Sequence, residues 1–219
     1  MLFVSQDAFA QQKEYRSFSC NVFCNKRPLV VQDIRYTLPN GSTIQFEAFK
    51  FYISNIQWKH KGALVYVEPA SFHLIDVVDT SSQTIVMHIP VEIKTDTILF
   101  QFGIDSLTNA SGVKGGDLDP TKGMYWTWQS GYIHFKMEGA CSNCISPKNK
   151  FEFHIGGYQY PFNTQQTIAL PITSRDCHIV FDLDTFFTKV NVEKQKSIMS
   201  PCADAVLLSQ QLATCFRIK

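Results

Sequence analysis

Two of the chain's three tryptophans, Trp126 and Trp128, lie two residues apart in the segment 123–132. Residues at i and i+2 of an extended strand point to the same face, so the spacing predicts two indoles standing side by side. Next to the acidic loop 115–120, they could form a pocket wall or a redox-active aromatic site. The alternative is a pair of core anchors, which the spacing alone favours because tryptophan mostly serves packing.

Histidines supply the second set of candidate ligands. Segments 132–138 and 151–155 both alternate apolar and polar residues, which predicts two antiparallel strands joined by the loop 139–150. One face of this pair then carries the apolar residues Ile133, Phe135, Met137, Phe151, Phe153 and Ile155. The other face carries His134, Lys136, Glu152 and His154. A histidine that shares a face with two tryptophans is a candidate soft-metal or redox site.

Each histidine also has a simpler explanation. His154 is equally consistent with a hydrogen-bonded structural histidine, and a surface position on the strand is enough to explain His134. The remaining histidines show no paired spacing such as His-x-x-x-His, so no zinc-protease motif is present.

The chain has seven cysteines, and this odd number means that at least one is not paired within a disulfide. Cys141 and Cys144 lie in the predicted loop 139–150. A thioredoxin-like pair requires a strand–helix–strand context, and a zinc site normally requires a second cysteine pair. We therefore predict a local disulfide. Soft-metal binding together with His154, and a redox role for the pair, are the alternatives.

Other motifs of catalysis are missing from the sequence. Asp117 and Asp119 resemble the start of a hard-cation loop, but the later ligands of an EF-hand are absent, and a solvated turn explains both. We find no nucleophile elbow, no phosphate-cradling loop and no carboxylate pair typical of a hydrolase. The sequence therefore predicts a protein that is not an enzyme.

Short segments of alternating apolar and polar residues predict the strands that carry these candidate residues. Turn signals such as 39–41, 115–116 and 156–157 separate them, and no long helix intervenes. This cadence predicts an all-β fold, an antiparallel β-sandwich or barrel-like domain, with a short C-terminal helix at 201–215. Ser200 is expected to cap that helix, with Pro201 at its first position. The apolar stripe of the helix comprises Ala205, Leu208, Leu212 and Cys215.

Length and charge limit the classes of function. The 219 residues fit one domain, which we place at 16–219, and a net charge of +1 argues against binding to nucleic acid. No run of about twenty apolar residues predicts a membrane-spanning helix. Residues 1–15 combine an apolar start with Ala8-Phe9-Ala10, which is similar to a cleavage site. We interpret them as the remnant of an export signal or as a frayed N-terminus.

Several segments together resemble the MbnP-like family, named for the methanobactin-associated copper-binding protein, and the chain is most similar to members from Bacteroidota. The Trp-x-Trp-x-x-Gly-Tyr core at 126–132 is the specific element of the resemblance. The other matching segments, 49–56, 73–76, 102–106, 116–125, 136–139 and 153–157, are individually weak. Together they span roughly residues 16–216.

The resemblance implies an exported, mostly β protein that binds copper outside the cytoplasm, in the periplasm or an equivalent compartment. In characterised relatives a partner dihaem peroxidase oxidises a tryptophan to kynurenine, which forms the copper site together with histidines. Carried over, the modified residue is Trp126 or Trp128. His154 is the histidine ligand, with His134 as a further candidate.

One departure from the family bears on this expectation. Relatives often have a histidine near the start of the last helix, where this chain has Ile198-Met199-Ser200-Pro201-Cys202. Met199 or Cys202 could replace it, because Cu(I) accepts thioether and thiolate ligands. Alternatively the site is degenerate, and the protein is a metal-free β-sandwich binding or scaffold module of the cell envelope.

Overall fold

Two β-sheets pack face to face in the computed structural model, which describes residues 16–87, 89–90, 92–174, 177–195 and 197–219. The expected export-signal remnant at 1–15 lies outside the described residues. The strands are β1 Arg16–Cys24, β2 Arg27–Pro28, β3 Arg35–Thr37, β4 Thr43–His60, β5 Ala63–Val67, β6 Phe72–Asp76, β7 Thr84–Met87, β8 Thr97–Phe102, β9 Tyr125–Trp126, β10 Gly131–Cys141, β11 Lys150–Gly156, β12 Gln166–Pro171, β13 Cys177–Asp182 and β14 Phe216–Ile218.

Helices are short. The α-helices are α1 Ser106–Ala110, α2 Leu183–Lys189 and α3 Ala203–Ala213, and 3₁₀ turns cover Thr80–Gln83, Gly116–Leu118, Pro120–Lys122 and Pro147–Asn149. No helix in the described part of the chain is both long and apolar enough to cross a membrane.

The strand order confirms the predicted β-sandwich. The smaller sheet runs β14-β13-β1-β2, with β7 also paired to β1. The larger sheet runs β11-β10-β4-β8-β12, and the short strands β3, β5, β6 and β9 pair along β4 or β10. Among the described strands every pair is antiparallel except β1 with β13.

Phenylalanines from both sheets fill the space between them. Alternation in β1 turns Phe18, Cys20 and Val22 inward, as the sequence predicts. The ring of Phe181 lies 5.2 Å from that of Phe51 and 4.8 Å from that of Phe216, between ring centroids. Such aromatic contacts add stability beyond the area that they bury.

A second, smaller core covers the outer face of the larger sheet. The chain between β8 and β10, residues 103–130, folds back over this face and forms a layer that we call the outer layer. The core between this layer and the sheet comprises Ile104, Leu118, Met124 and Trp126 from the layer, and Tyr52, Leu74, Tyr132 and Ile133 from the sheet. One of the two candidate tryptophans therefore belongs to the outer layer and not to the main core.

The C-terminal helix is present, but it begins later than predicted. α3 starts at Ala203 with Cys202 in the capping position, and Cys202 makes no side-chain capping bond. The predicted Ser200 cap is wrong because the preceding chain is held extended against β11, where the backbone of Ile198 pairs with Phe153. The helix can turn only after this segment ends. Its apolar stripe is buried as expected, at Ala205, Leu208 and Leu212.

Candidate metal site

Trp126 and Trp128 lie on a tight hairpin and not along one strand. β9 pairs with β10 so that Trp126 is opposite Gly131, and residues 127–130 form the turn. The indole centroids are 6.0 Å apart. The expected side-by-side arrangement is therefore present, but it comes from a turn. The extended strand that the spacing predicts for Trp126 and Trp128 is wrong, because the chain reverses between Trp126 and Gly131.

The two indoles have different environments. The side chain of Trp126 is 6% exposed within the outer layer, whereas Trp128 is 66% exposed at the hairpin tip. The core-anchor interpretation therefore applies to Trp126. It is wrong for Trp128, because its position in the turn exposes its side chain to solvent.

Trp126 packs against the end of β11. A Cβ added to Gly156 would lie 2.7 Å from Cζ3 of Trp126 and 2.9 Å from Cη2, so the indole needs a glycine beneath it. The indole Nε1 is buried and has no hydrogen-bond partner among the described residues. Buried donors without a partner are rare and costly in folded proteins. A chemical change of the indole that removed this unpaired N–H would therefore remove its energetic cost.

His154 lies two residues before Gly156, so both face the outer layer. Its backbone is opposite Lys136 on β10. The ring Nε2–H donates to Oε1 of Glu138 at 2.6 Å, and Nζ of Lys136 lies 3.1 Å from the same oxygen. The hydrogen bond from His154, with help from Lys136, lowers the pKa of Glu138 to about 2. No described residue forms a hydrogen bond with Nδ1 of His154.

The backbone pairing of the segment before α3 with β11 makes Met199 the register neighbour of His154. The N–H of His154 donates to the carbonyl of Ile198 at 2.8 Å, and the N–H of Ile198 donates to the carbonyl of Glu152 at 2.8 Å. This pairing matches Ile198 with Phe153, and both side chains are buried in the main core. The next residue of each segment, Met199 and His154, therefore turns to the outer face. Cys202, the other proposed soft ligand, packs against the main core instead.

His134 is buried completely, which contradicts the expected surface position. The pairing of β10 with β11 is irregular between Ile133 and Phe135, and at this bulge Gly103, Asn109 and Thr164 enclose the ring of His134. Nδ2 of Asn109 lies 3.4 Å from Nε2, and Oγ1 of Thr164 lies 3.0 Å from Nδ1. Because both ring nitrogens have partners, we leave His134 out of the proposed site.

Burial of His134 makes stability depend on pH. Desolvation lowers the pKa of His134 from 6.5 to about 4. Between these values the unfolded chain binds a proton that the folded chain does not, so stability falls as the pH drops from about 6.5 towards 4. We expect a loss of about 3 kcal/mol from this residue, measured as the free energy of urea unfolding across that range.

The variant His134→Gln tests the origin of this loss. It should be less stable at pH 7.5, but its stability should change far less between pH 6.5 and 5, where most carboxylates are still ionised. An unchanged slope in this variant would contradict the assignment to His134.

Cys141 and Cys144 form a disulfide, and their Cα atoms are 5.3 Å apart. On β10, Cys141 lies five residues beyond Lys136, the residue opposite His154, which is about 16 Å of strand. The alternative of a joint soft-metal site with His154 is therefore wrong, because the thiols are consumed and lie far from the imidazole. Cys20, Cys24, Cys177 and Cys215 are free and buried.

Asp117 and Asp119 hold the outer layer in place. Asp117 accepts the N–H of Leu74 at 3.0 Å through one oxygen and pairs with Nζ of Lys122 at 2.6 Å through the other. Asp119 caps the following 3₁₀ turn through the N–H and hydroxyl of Thr121, which lowers its pKa. These contacts explain both carboxylates without a cation.

Glu138 is the functional candidate that our sequence analysis missed. Strand alternation already places it on the same face as Lys136 and diagonal to His154. Within the described residues, no three or more His, Cys, Asp and Glu side chains cluster in a way that could hold a metal. The candidate groups on this face are therefore one imidazole, one thioether and a buried indole.

These features define a β-sandwich protein with an aromatic and histidine site on the outer face of its larger sheet. The chain belongs to the MbnP family, whose sequence model matches residues 16–200. The solved structure of MbnP from Methylosinus trichosporium shares the fold with a TM-score of 0.67 and 13% identity, over 89% of this chain and 87% of that one. No curated protein sequence matches the chain.

Proposed function

We propose that this protein binds copper outside the cytoplasm and has no catalytic activity of its own. The observation that carries the proposal is the convergence of His154, Met199 and Trp126 on one face. His154 has a free Nδ1, Met199 is its register neighbour, and Trp126 has a buried N–H without a partner among the described residues. Imidazole and thioether donors together suit Cu(I), and the family membership supports the choice of copper.

The imidazole of His154 and the thioether of Met199 suit copper better than they suit a harder ion or one that needs more ligands. The nearest carboxylate to His154, that of Glu138, contacts Lys136 and His154 through Oε1, and a single carboxylate is far short of the six or more oxygen ligands that a hard cation such as Ca²⁺ takes. Structural zinc usually takes four ligands from cysteine, histidine and carboxylate groups, and the described residues offer no such set.

We further propose that Trp126, and not Trp128, is the tryptophan converted to kynurenine by a partner dihaem peroxidase. Its indole touches Gly156, two residues from His154, and its N–H lacks a partner. In the conversion, two molecules of hydrogen peroxide would supply the two oxygen atoms and leave as two molecules of water, while the C2–C3 bond of the indole breaks to give N-formylkynurenine. Hydrolysis of the resulting N-formyl group releases formate. The product presents an aromatic amine and a ketone where the indole lay.

One observation supports an extracytoplasmic location, and the state of the free thiols is compatible with it. The Cys141–Cys144 disulfide is typical of an oxidising compartment. The free thiols are largely protected, since burial raises the pKa of Cys177 to about 11 and that of Cys215 to about 12, which keeps them protonated and unreactive.

The proposal is tested on protein isolated from its own host. We expect the mass of kynurenine at Trp126 in the peptide that carries both tryptophans, and copper in the same preparation. Kynurenine at Trp128 would move the site to the exposed hairpin tip. Two intact tryptophans in a preparation without copper would contradict the proposal and favour the metal-free scaffold module. The lack of a larger ligand cluster in the described part of the chain also favours this alternative.

A further inference from the structure

Glu138 has a defined relation to the proposed ligand His154. We propose that Glu138 is a positioning residue for copper: its carboxylate holds the His154 proton on Nε2 and thereby presents the unprotonated Nδ1 as the ligand atom. This inference rests on the proposed copper-binding function and adds a specific residue to it. It concerns orientation of the ligand, since Glu138 itself does not need to touch the metal.

The contacts around Glu138 fix it from two sides. Its Oε1 accepts from Nε2 of His154 at 2.6 Å and lies 3.1 Å from Nζ of Lys136. Lys136 also donates to the carbonyl of Gly123 at 3.4 Å, at the start of the segment that leads to Trp126. A single carboxylate oxygen thus ties the imidazole to the chain that carries the indole.

The backbone is constrained both at His154 and next to Glu138. The N–H of His154 is bonded to Ile198, so the imidazole can reorient only by side-chain rotation. Gly139, next to Glu138, lies where the pairing of β10 with β4 shifts register. A Cβ at this position would collide with the backbone of Gln45 and the ring of Phe151, so β10 passes too close to its neighbours for any other residue.

The chemistry of metal-bound histidine explains why this arrangement matters. A neutral imidazole binds a metal through one nitrogen, and the other N–H is commonly donated to a carboxylate, which fixes the tautomer and makes the ligand more basic. Because Nε2 is taken by Glu138, Nδ1 is the nitrogen left for coordination. Loss of such a partner typically weakens metal binding by about 10–100-fold.

The matched control for Glu138 is Glu152. It lies opposite Glu138 on β11, on the same face of the sheet and with the same charge, but its exposed side chain makes no hydrogen bond to His154. Glu138→Ala and Glu152→Ala therefore remove the same charge from neighbouring positions, and only the first removes the contact. Glu138→Gln keeps an acceptor oxygen and should restore part of the effect.

The experiment combines two measurements on full-length protein from its own host. Nitrogen-detected NMR at pH 8 without metal should show a slowly exchanging Nε2–H signal of His154 in the wild type and in Glu152→Ala, and no such signal in Glu138→Ala. Competition with a chromogenic Cu(I) chelator should show about 10–100-fold weaker copper binding in Glu138→Ala, a smaller loss in Glu138→Gln and none in Glu152→Ala.

The outcomes separate this inference from the proposed function. Equal copper affinities for Glu138→Ala and Glu152→Ala would overturn the inference alone, as would a wild-type His154 that carries its proton on Nδ1. A wild type that binds no copper would overturn the proposed function and the metal role of Glu138 together. Thermal unfolding of each variant confirms that the compared proteins are folded.

Discussion

Replacing His154 with alanine should weaken Cu(I) binding by about 100-fold or more. The imidazole is the one histidine ligand in the proposed site, beside the aromatic amine that kynurenine at residue 126 would present. Losing a ligand costs more than losing a residue that only supports one, which is roughly 10–100-fold. His154 lies at the edge of the outer layer, so its removal leaves the main core intact. Competition with a Cu(I) chelator, on protein purified from its own host, measures the change.

Two further variants define the site. His178→Ala is the matched control, because His178 is exposed on the smaller sheet, where its ring bonds to Ser19. Its copper affinity should equal that of the wild type. Met199→Leu keeps the volume and removes the thioether, so we expect an intermediate loss. Equal affinities for His154→Ala and His178→Ala would place the copper elsewhere.

Trp126→Ala should destabilise the protein by about 3–5 kcal/mol, whereas Trp128→Ala should cost less than about 1 kcal/mol. Trp126 fills the outer layer and rests on Gly156, so its truncation leaves a cavity that β11 and the hairpin cannot close. Trp128 is mostly exposed at the turn. The comparison is stringent because the two substitutions are chemically identical and two residues apart.

Denaturant unfolding, followed by the fluorescence of the remaining tryptophans, gives both free energies. The shared slope with denaturant serves as the control, since a change in slope would indicate an altered unfolded or native state. A loss for Trp128→Ala that equals or exceeds that of Trp126→Ala would contradict the placement of the indoles.

The sequence was sufficient for the parts of the fold that depend on alternation. The partnership of β10 with β11 follows from the period-two pattern because burial of one face fixes the register, and so does the inward set Phe135, Met137, Phe151, Phe153 and Ile155. The prediction is wrong for Ile133, because the irregularity between Ile133 and Phe135 leaves it in the core of the outer face. The same pattern places His154 on the outer face. The family resemblance, carried mainly by residues 126–132, is confirmed.

The features that the sequence did not predict depend on tertiary contacts. The bulge before Phe135 and the covering chain 103–130 bury His134, and neither leaves a local signal in an alternating strand. The turn at 127–130 contains Gln129 and Ser130 in place of a strong turn pair, so the sequence predicts an extended strand for Trp126 and Trp128 where the chain turns. Ser200 is a suitable cap by type, but pairing of Ile198 with β11 keeps that segment extended.

The location of bound copper tests the central claim most directly. Crystals of copper-loaded protein from its own host, measured at the copper absorption edge, would show the metal as a peak of anomalous scattering. We predict one peak on the outer face of the larger sheet, within bonding distance of Nδ1 of His154 and next to Met199 and residue 126. A peak at any other position, or copper-loaded crystals with no peak beside His154, would contradict the account.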